Sequence, residues 1–240
     1  MRRLALVAVL LAALATPAAA SRPRLTIFAA ASLTDVFPRI DRKESYSFGG
    51  SNALAAQIRQ GLPADVFASA NVTLPDQLYT DGLVEKPILF TANTVVMIAR
   101  KGNPDHLRGV YSLETPGLKI VMGAPGVPVG DYTRTVLKRL GLSDIVGKAV
   151  SQETDVREVL SKVALGEADV GFVYATDART VRGQVAVFAI PPRARPKVNY
   201  AVAAVRTSRH LAVAEAWVKA LKGRAAQAKL RTAGFLKPGR

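Results

Sequence analysis

Residues 25–37 read LTIFAAASLTDVF and pass from an apolar run through small residues to a helix start within a few positions. Residues 25–28 have the length and character of a buried strand. Ala29, Ala30 and Ala31 are small enough for a ligand to reach the backbone, and Ser32 stands at an N-cap position before Leu33, Thr34 and Asp35. A strand that empties into a helix N-terminus leaves unpaired N–H groups and the positive end of a dipole facing outward. Such an end suits an anion, and several converging ends suit an oxyanion.

The chain repeats this device. A short strand at 46–48 leads through Gly49-Gly50-Ser51 into a helical run at 52–60, closed by Gly61. A strand at 119–122 opens into the glycine- and proline-rich loop 123–130, followed by a helix at 131–140. A strand at 148–151 leads into a helix at 155–165, whose Val156, Val159, Leu160 and Val163 keep helical spacing. Further strands are expected at 65–69, 94–99, 170–174, 185–190 and 200–205, with a polar turn near 91–94. Helices are expected at 74–79, 210–221 and 224–232. Alternating strands and helices indicate an α/β chain with mainly parallel sheets, in which ligands sit beyond the carboxyl ends of strands. Four such ends, at Ser32, Ser51, Val129 and Val156, feed helices in the same way.

Composition narrows the classes. Residues 1–20 carry Arg2 and Arg3, an apolar run at 4–14 and Ala18-Ala19-Ala20, the pattern of a cleaved secretory leader, with the mature chain starting near Ser21. No later stretch is long and apolar enough for a membrane anchor. Cysteine is absent, which excludes disulfides, thiolate metal sites and a lipidated cysteine. The net charge is +15, but only 6% of residues are aromatic and the cations are scattered, which does not fit a nucleic-acid binder. A solvated basic surface is the simpler reading; at most it attracts anions over the 8 to 10 Å that ordinary salt allows, roughly. His106 and His210 are isolated and form neither a metal site nor a catalytic one. Asp65, Asp155 and Asp177 are read as ties for loops and helix starts, and Arg193, Arg195 and Lys197 as a solvated loop or a docking point for a transporter.

Five segments, in order, carry a family resemblance: FAAASLTDVF, FGGSNALAAQIRQGLPADVFASA, VPVGDYTRTVLKRLG, DVREVLSKVALGEADVGFVYATDA and a terminal AGF after a helix. Over 25–235 the chain resembles the periplasmic molybdate-binding proteins of ATP-driven (ABC) importers. The resemblance implies an α/β, two-lobed periplasmic binding protein of type II, each lobe a mainly parallel sheet flanked by helices, with the ligand in the interlobe cleft. It places 21–92 and 197–240 in one lobe and 93–196 in the other, joined by two crossing strands. It implies molybdate or tungstate held as an oxyanion with no direct cation ligands and no cofactor, a soluble periplasmic monomer, and delivery to the membrane permease of an ABC importer. Carried over segment by segment, the site comprises Ser32 and Ser51 through hydroxyl and backbone N–H, Val129 and Val156 through backbone N–H, and Tyr174 through its phenol.

Taken singly, each position has a plainer role. Ser32 and Ser51 suit N-caps, Val156 the core, Val129 a loop beside Pro128, and Tyr174 a strand end. Three departures from the family pattern stand out, one being that the 123–130 loop is a residue shorter. The stretch between Ser32 and Phe48 is shorter, with Pro38 expected to interrupt the helix begun at Leu33, and a valine occupies position 129 where alanine is usual. A binding protein for sulfate, phosphate or an organic anion is the nearest alternative. A secreted hydrolase is the alternative of another class, but Gly50-Ser51-Asn52 lacks the nucleophile elbow and no catalytic residue is indicated.

Overall fold

Two five-stranded sheets carry the chain, and helices cover their faces. The structure is a computed structural model and describes residues 22–239. The expected leader, residues 1–20, lies outside the described residues. In chain order the elements are β1 (Thr26–Ala30), α1 (Phe37–Ile40), β2 (Ser45–Gly49), α2 (Ser51–Arg59), β3 (Val66–Ser69), α3 (Thr73–Thr80), β4 (Ile88–Asn93) and β5 (Val95–Arg100). There follow β6 (Ile120–Gly123), α4 (Pro128–Arg139), β7 (Ala149–Glu153), α5 (Val156–Ala164), β8 (Val170–Tyr174), α6 (Ala175–Thr180), β9 (Val185–Ala189), β10 (Val198–Ala204), α7 (Leu211–Ala220) and α8 (Arg224–Ala233).

The first sheet has the order β2-β1-β3-β10-β4 and the second β7-β6-β8-β5-β9. The chain passes from the first to the second at Thr94, between β4 and β5, and returns between β9 and β10. Within each sheet the strands that feed helices run parallel: β1 with β2 and β3, β6 with β7 and β8. The pairings of the crossing strands, β10 with β3 and β4 and β5 with β8 and β9, are antiparallel. This is the α/β architecture expected from the alternation of apolar runs and helix starts, in the two-lobed form that the family resemblance implies.

Strands covered on both faces are mostly apolar, as β3, β8 and β10 are, each residue of which is buried, with Ser69 and Asn199 the polar exceptions. One face of the first sheet packs Phe28 and Phe67 against Leu54, Ile58 and Leu78 of α2 and α3. On the other face Phe37 is fully buried and meets Trp217 of α7 edge-on at 5.5 Å, with Phe90 and Tyr46 each 6.0 Å away.

Several elements differ from the sequence reading. Pro38 interrupts no helix; a 3-10 turn at Ala31–Leu33 ends first, and the proline lies in the opening turn of α1, where its missing N–H leaves no bond unmade. Pro128 likewise opens α4 three residues earlier than expected. Residues 91–93 form the end of β4 and not a polar turn, because tertiary partners replace water: Thr91 Oγ1 donates to the Leu236 carbonyl at 3.1 Å, and Asn93 is bonded on both sides of its amide.

Phe37→Ala would remove the centre of this aromatic cluster and is expected to cost about 3 to 5 kcal/mol. Urea unfolding followed by the fluorescence of Trp217, the only tryptophan, would measure it.

Candidate functional site

Five strand-to-helix joints and the end of β8 surround one small hollow between the two sheets. From the first sheet come Ala30, Ala31 and Ser32 after β1, Gly49, Gly50 and Ser51 after β2, and Ala70 after β3. From the second come Val127, Pro128 and Val129 after β6, Asp155 and Val156 after β7, and Tyr174 at the end of β8. The five positions expected to form the site, Ser32, Ser51, Val129, Val156 and Tyr174, are therefore all brought together, and each is buried.

The backbone at each joint presents donors. Ser51 is the first residue of α2, not its cap as the sequence suggested; Gly50 is the cap, so the amides of the first turn have no side-chain acceptor there. In α4, Pro128 has no N–H and Asp131 N already donates to the Val127 carbonyl, so Val129 and Gly130 bear the first amides without intrahelical acceptors. In α5 the Asp155 carboxylate caps the amides of Arg157 (2.6 Å) and Glu158 (3.2 Å), and the Val156 amide precedes them uncapped. The one acidic residue lining the hollow thus directs its charge to a helix start. Burial, partly offset by these two amides, raises its pKa.

The side-chain donors are aligned by donors behind them. Ser51 Oγ accepts from the Ala70 amide at 3.1 Å, so its own proton is free to point elsewhere. Ser32 is not an N-cap: it lies inside the 3-10 turn, and its Oγ is 2.8 Å from Tyr200 Oη. Asn93 Oδ1 accepts from the Thr94 amide at 2.9 Å, which leaves its Nδ2 to donate to Thr176 Oγ1 (2.8 Å) and Tyr200 Oη (3.4 Å). A Tyr200 oxygen that accepts from Asn93 can donate its own proton to Ser32, and in that arrangement the Ser32 proton is available for the hollow. The sequence reading assigned no role to Tyr200 or Asn93; an apolar-looking strand and an expected turn carried no signal for either.

Tyr174 is wholly buried, and its hydroxyl has no hydrogen-bond partner among the described residues. Its ring meets Tyr200 at 5.9 Å and Tyr132 at 6.5 Å, both near edge-on. Burial, reinforced by Tyr200, holds this phenol well above its ordinary pKa, so it stays a neutral donor. An unpartnered buried hydroxyl costs about 1 to 3 kcal/mol and is satisfied by a ligand that accepts.

Among the described residues no lysine, arginine or histidine lines the hollow. The site consists of main-chain amides, two hydroxyls and a phenol, donors for an anion with several acceptor oxygens. Its walls fit closely. A Cβ on Gly50 would lie 2.2 Å from the carbonyl oxygen of Thr154, which belongs to the other half of the molecule, so only glycine allows the two rims to meet.

A hollow of this kind, formed by helix starts from two lobes and lined by main-chain amides and hydroxyls, defines a binding site for small anions. A family model described as bacterial extracellular solute-binding protein matches residues 25–236. The molybdate-binding protein ModA of Mycobacterium tuberculosis (strain H37Rv) is 36% identical over 224 residues, 89% of this chain and 85% of that protein. ModA of Escherichia coli (strain K12) is 34% identical over 244 residues, 93% of each chain. The solved periplasmic molybdate-binding protein of Azotobacter vinelandii superimposes with a TM-score of 0.79 over 90% of this chain and 100% of that one, at 23% identity, and shares the fold. The chain belongs to the bacterial extracellular solute-binding protein family and, within it, to the ModA-type molybdate-binding proteins. The family is one of binding proteins, not of enzymes.

Gly50→Ala places a methyl against the Thr154 carbonyl and is expected to hold the rims apart. Its circular dichroism should match the parent, while calorimetry should show anion affinity reduced by ~10-fold or more, the equivalent of one charge-assisted hydrogen bond.

Proposed function

We propose that the chain captures molybdate, or tungstate, in the periplasm and delivers it as a monomer to the membrane permease of an ABC importer. The oxyanion is held by Ser32 and Ser51 through hydroxyl and amide, by Val129 and Val156 through their amides, and by Tyr174 through its phenol. The lobe of the first sheet, which runs through Asn93 and resumes at Val198, and the lobe of the second sheet, which starts at Val95, close on the ligand. Among the described residues no helix is long and apolar enough to cross a membrane.

The observation that carries this reading is the buried, unpartnered Tyr174 hydroxyl at a hollow lined by helix starts from both sheets. The names of the Mycobacterium and Escherichia relatives supply the ligand. The energetics agree. A dianion that loses its water is expensive to bury unless donors replace the lost hydration. Each hydrogen bond to a charged acceptor contributes about 1.5 to 3 kcal/mol, and each helix end about 0.3 to 1, up to roughly 2 when partly buried. Several together supply the roughly 8 to 12 kcal/mol of micromolar to nanomolar binding after association costs are met. Molybdate and tungstate are tetrahedral dianions offering the same four acceptors, so one donor set serves both.

Calorimetry with molybdate, tungstate, sulfate and phosphate tests the assignment. Molybdate and tungstate should bind far more tightly, and sulfate or phosphate at comparable affinity would overturn the ligand class. Ser51→Ala should weaken molybdate binding by about 1 to 3 kcal/mol with the fold retained. Tyr174→Phe should also weaken it, and equal affinity would show that the phenol does not serve.

The pH dependence follows from the donor types. Amides and hydroxyls do not titrate, and the Tyr174 phenol stays protonated because burial raises its pKa. Molybdate affinity is therefore expected to be flat between about pH 7 and 9, well below the range where the phenol ionises. A loss centred within that window would mean that another, titrating group holds the anion.

A further inference from the structure

Beside the hollow, one arginine ties together three of the segments that form it. Arg157 follows Val156 in the first turn of α5. Its Nε donates to Asp177 Oδ1 at 2.8 Å and its Nη2 to Asp35 Oδ2 at 2.6 Å. Asp177, in the first turn of α6, also accepts the Tyr174 amide at 3.2 Å. Asp35 belongs to the loop just after the 3-10 turn that holds Ser32, on the opposite half of the molecule.

The two carboxylates are differently placed. The Asp177 side chain is 0% exposed and shares the half that carries Arg157, whereas the Asp35 side chain is 44% exposed and crosses the cleft. The ion pairs of Arg22, Arg59, Arg100, Lys162 and Arg206 each join groups of a single half; that of Arg157 with Asp35 spans both. Arg157 does not line the hollow, and its donors are spent on carboxylates, so it is not a ligand of the anion.

We propose that Arg157 is a positioning residue that latches the closed cleft: Asp177 holds it in place on its own lobe, and closure brings Asp35 onto its free edge. The contact forms only when the lobes meet, so it slows opening and lengthens the residence of the bound anion without touching it. Burial lowers the arginine's pKa and the two carboxylates raise it by more, so its guanidinium stays charged, whereas burial pushes the Asp177 carboxyl up to about 6.

This inference rests on the proposed oxyanion function, and its test separates the two. Asp35→Asn keeps the shape of the exposed partner and removes its charge, whereas Arg157→Gln would leave Asp177 buried without a counter-charge and is less suitable. Protein loaded with molybdate is chased with excess tungstate, and the molybdenum retained after rapid desalting is read by mass spectrometry. Asp35→Asn is expected to release molybdate about 3- to 5-fold faster, the scale of a partly exposed ion pair, with the melting temperature of the ligand-free protein unchanged. Asp35→Glu should restore slow release. Raising salt from about 0.05 to 0.5 M should speed release from the parent toward that of Asp35→Asn, since screening weakens exposed pairs. If Asp35 acted only by long-range repulsion of the anion, Asp35→Asn would bind more tightly and release more slowly. That result, or release at the parental rate, overturns the latch. Failure of the parent to bind molybdate or tungstate at all would instead overturn the proposed function.

Discussion

A doubly charged anion stripped of water needs donors aimed at it from several sides, and here the main chain supplies most of them. Helix starts are the source: each leaves amides that the helix itself does not use, and their summed dipole favours negative charge. Much of the architecture follows from bringing such starts together. The strands that feed α2, α4 and α5 lie in the parallel portions of the two sheets and open toward the same hollow. Small residues flank the joints because a larger side chain would stand between backbone and ligand. Val129 and Val156 are compatible with this role because their apolar side chains are buried while their amides open the helices.

Directing the hydroxyls requires a second layer. A serine hydroxyl both donates and accepts, so it serves an anion well only if something else donates to its oxygen. The Ala70 amide does this for Ser51, and the Asn93–Tyr200 pair can do it for Ser32. Asn93 and Tyr200 lie on β4 and β10, next to the points where the chain crosses between lobes, and Asn93 also reaches Thr176 on the other half. The same small region therefore sets donor polarity and joins the lobes. Farther out, the close approach of Gly50 to Thr154 and the Arg157–Asp35 pair hold the rims together.

Much of this was legible in the chain. Strand, small residues and helix start recur at Ser32, Ser51, Val129 and Val156, and a local signal of that kind survives folding because it depends on the backbone alone. The errors were local. Pro38 was read as a break where it opens a helix, Ser32 was placed at an N-cap where it lies inside a 3-10 turn, and the end of β4 was read as a turn because Thr91 and Asn93 are polar. At β4, tertiary partners supply what local propensity assigned to water. Tyr200, Asn93, Asp35 and Arg157 left no sequence trace of their roles, since each acts through a residue distant in the chain.

By itself, then, the sequence determined the class of fold, the places where helices begin and the absence of thiol chemistry. All of these follow from apolar periodicity, glycine and proline placement, and composition. Tertiary structure decided which helix starts share a hollow, which way each hydroxyl proton points and which charges meet across the cleft. Those outcomes rest on contacts between residues as far apart as Asp35 and Arg157 or Ser32 and Tyr200, whose strength depends on distances of a few ångströms that no one-dimensional pattern encodes.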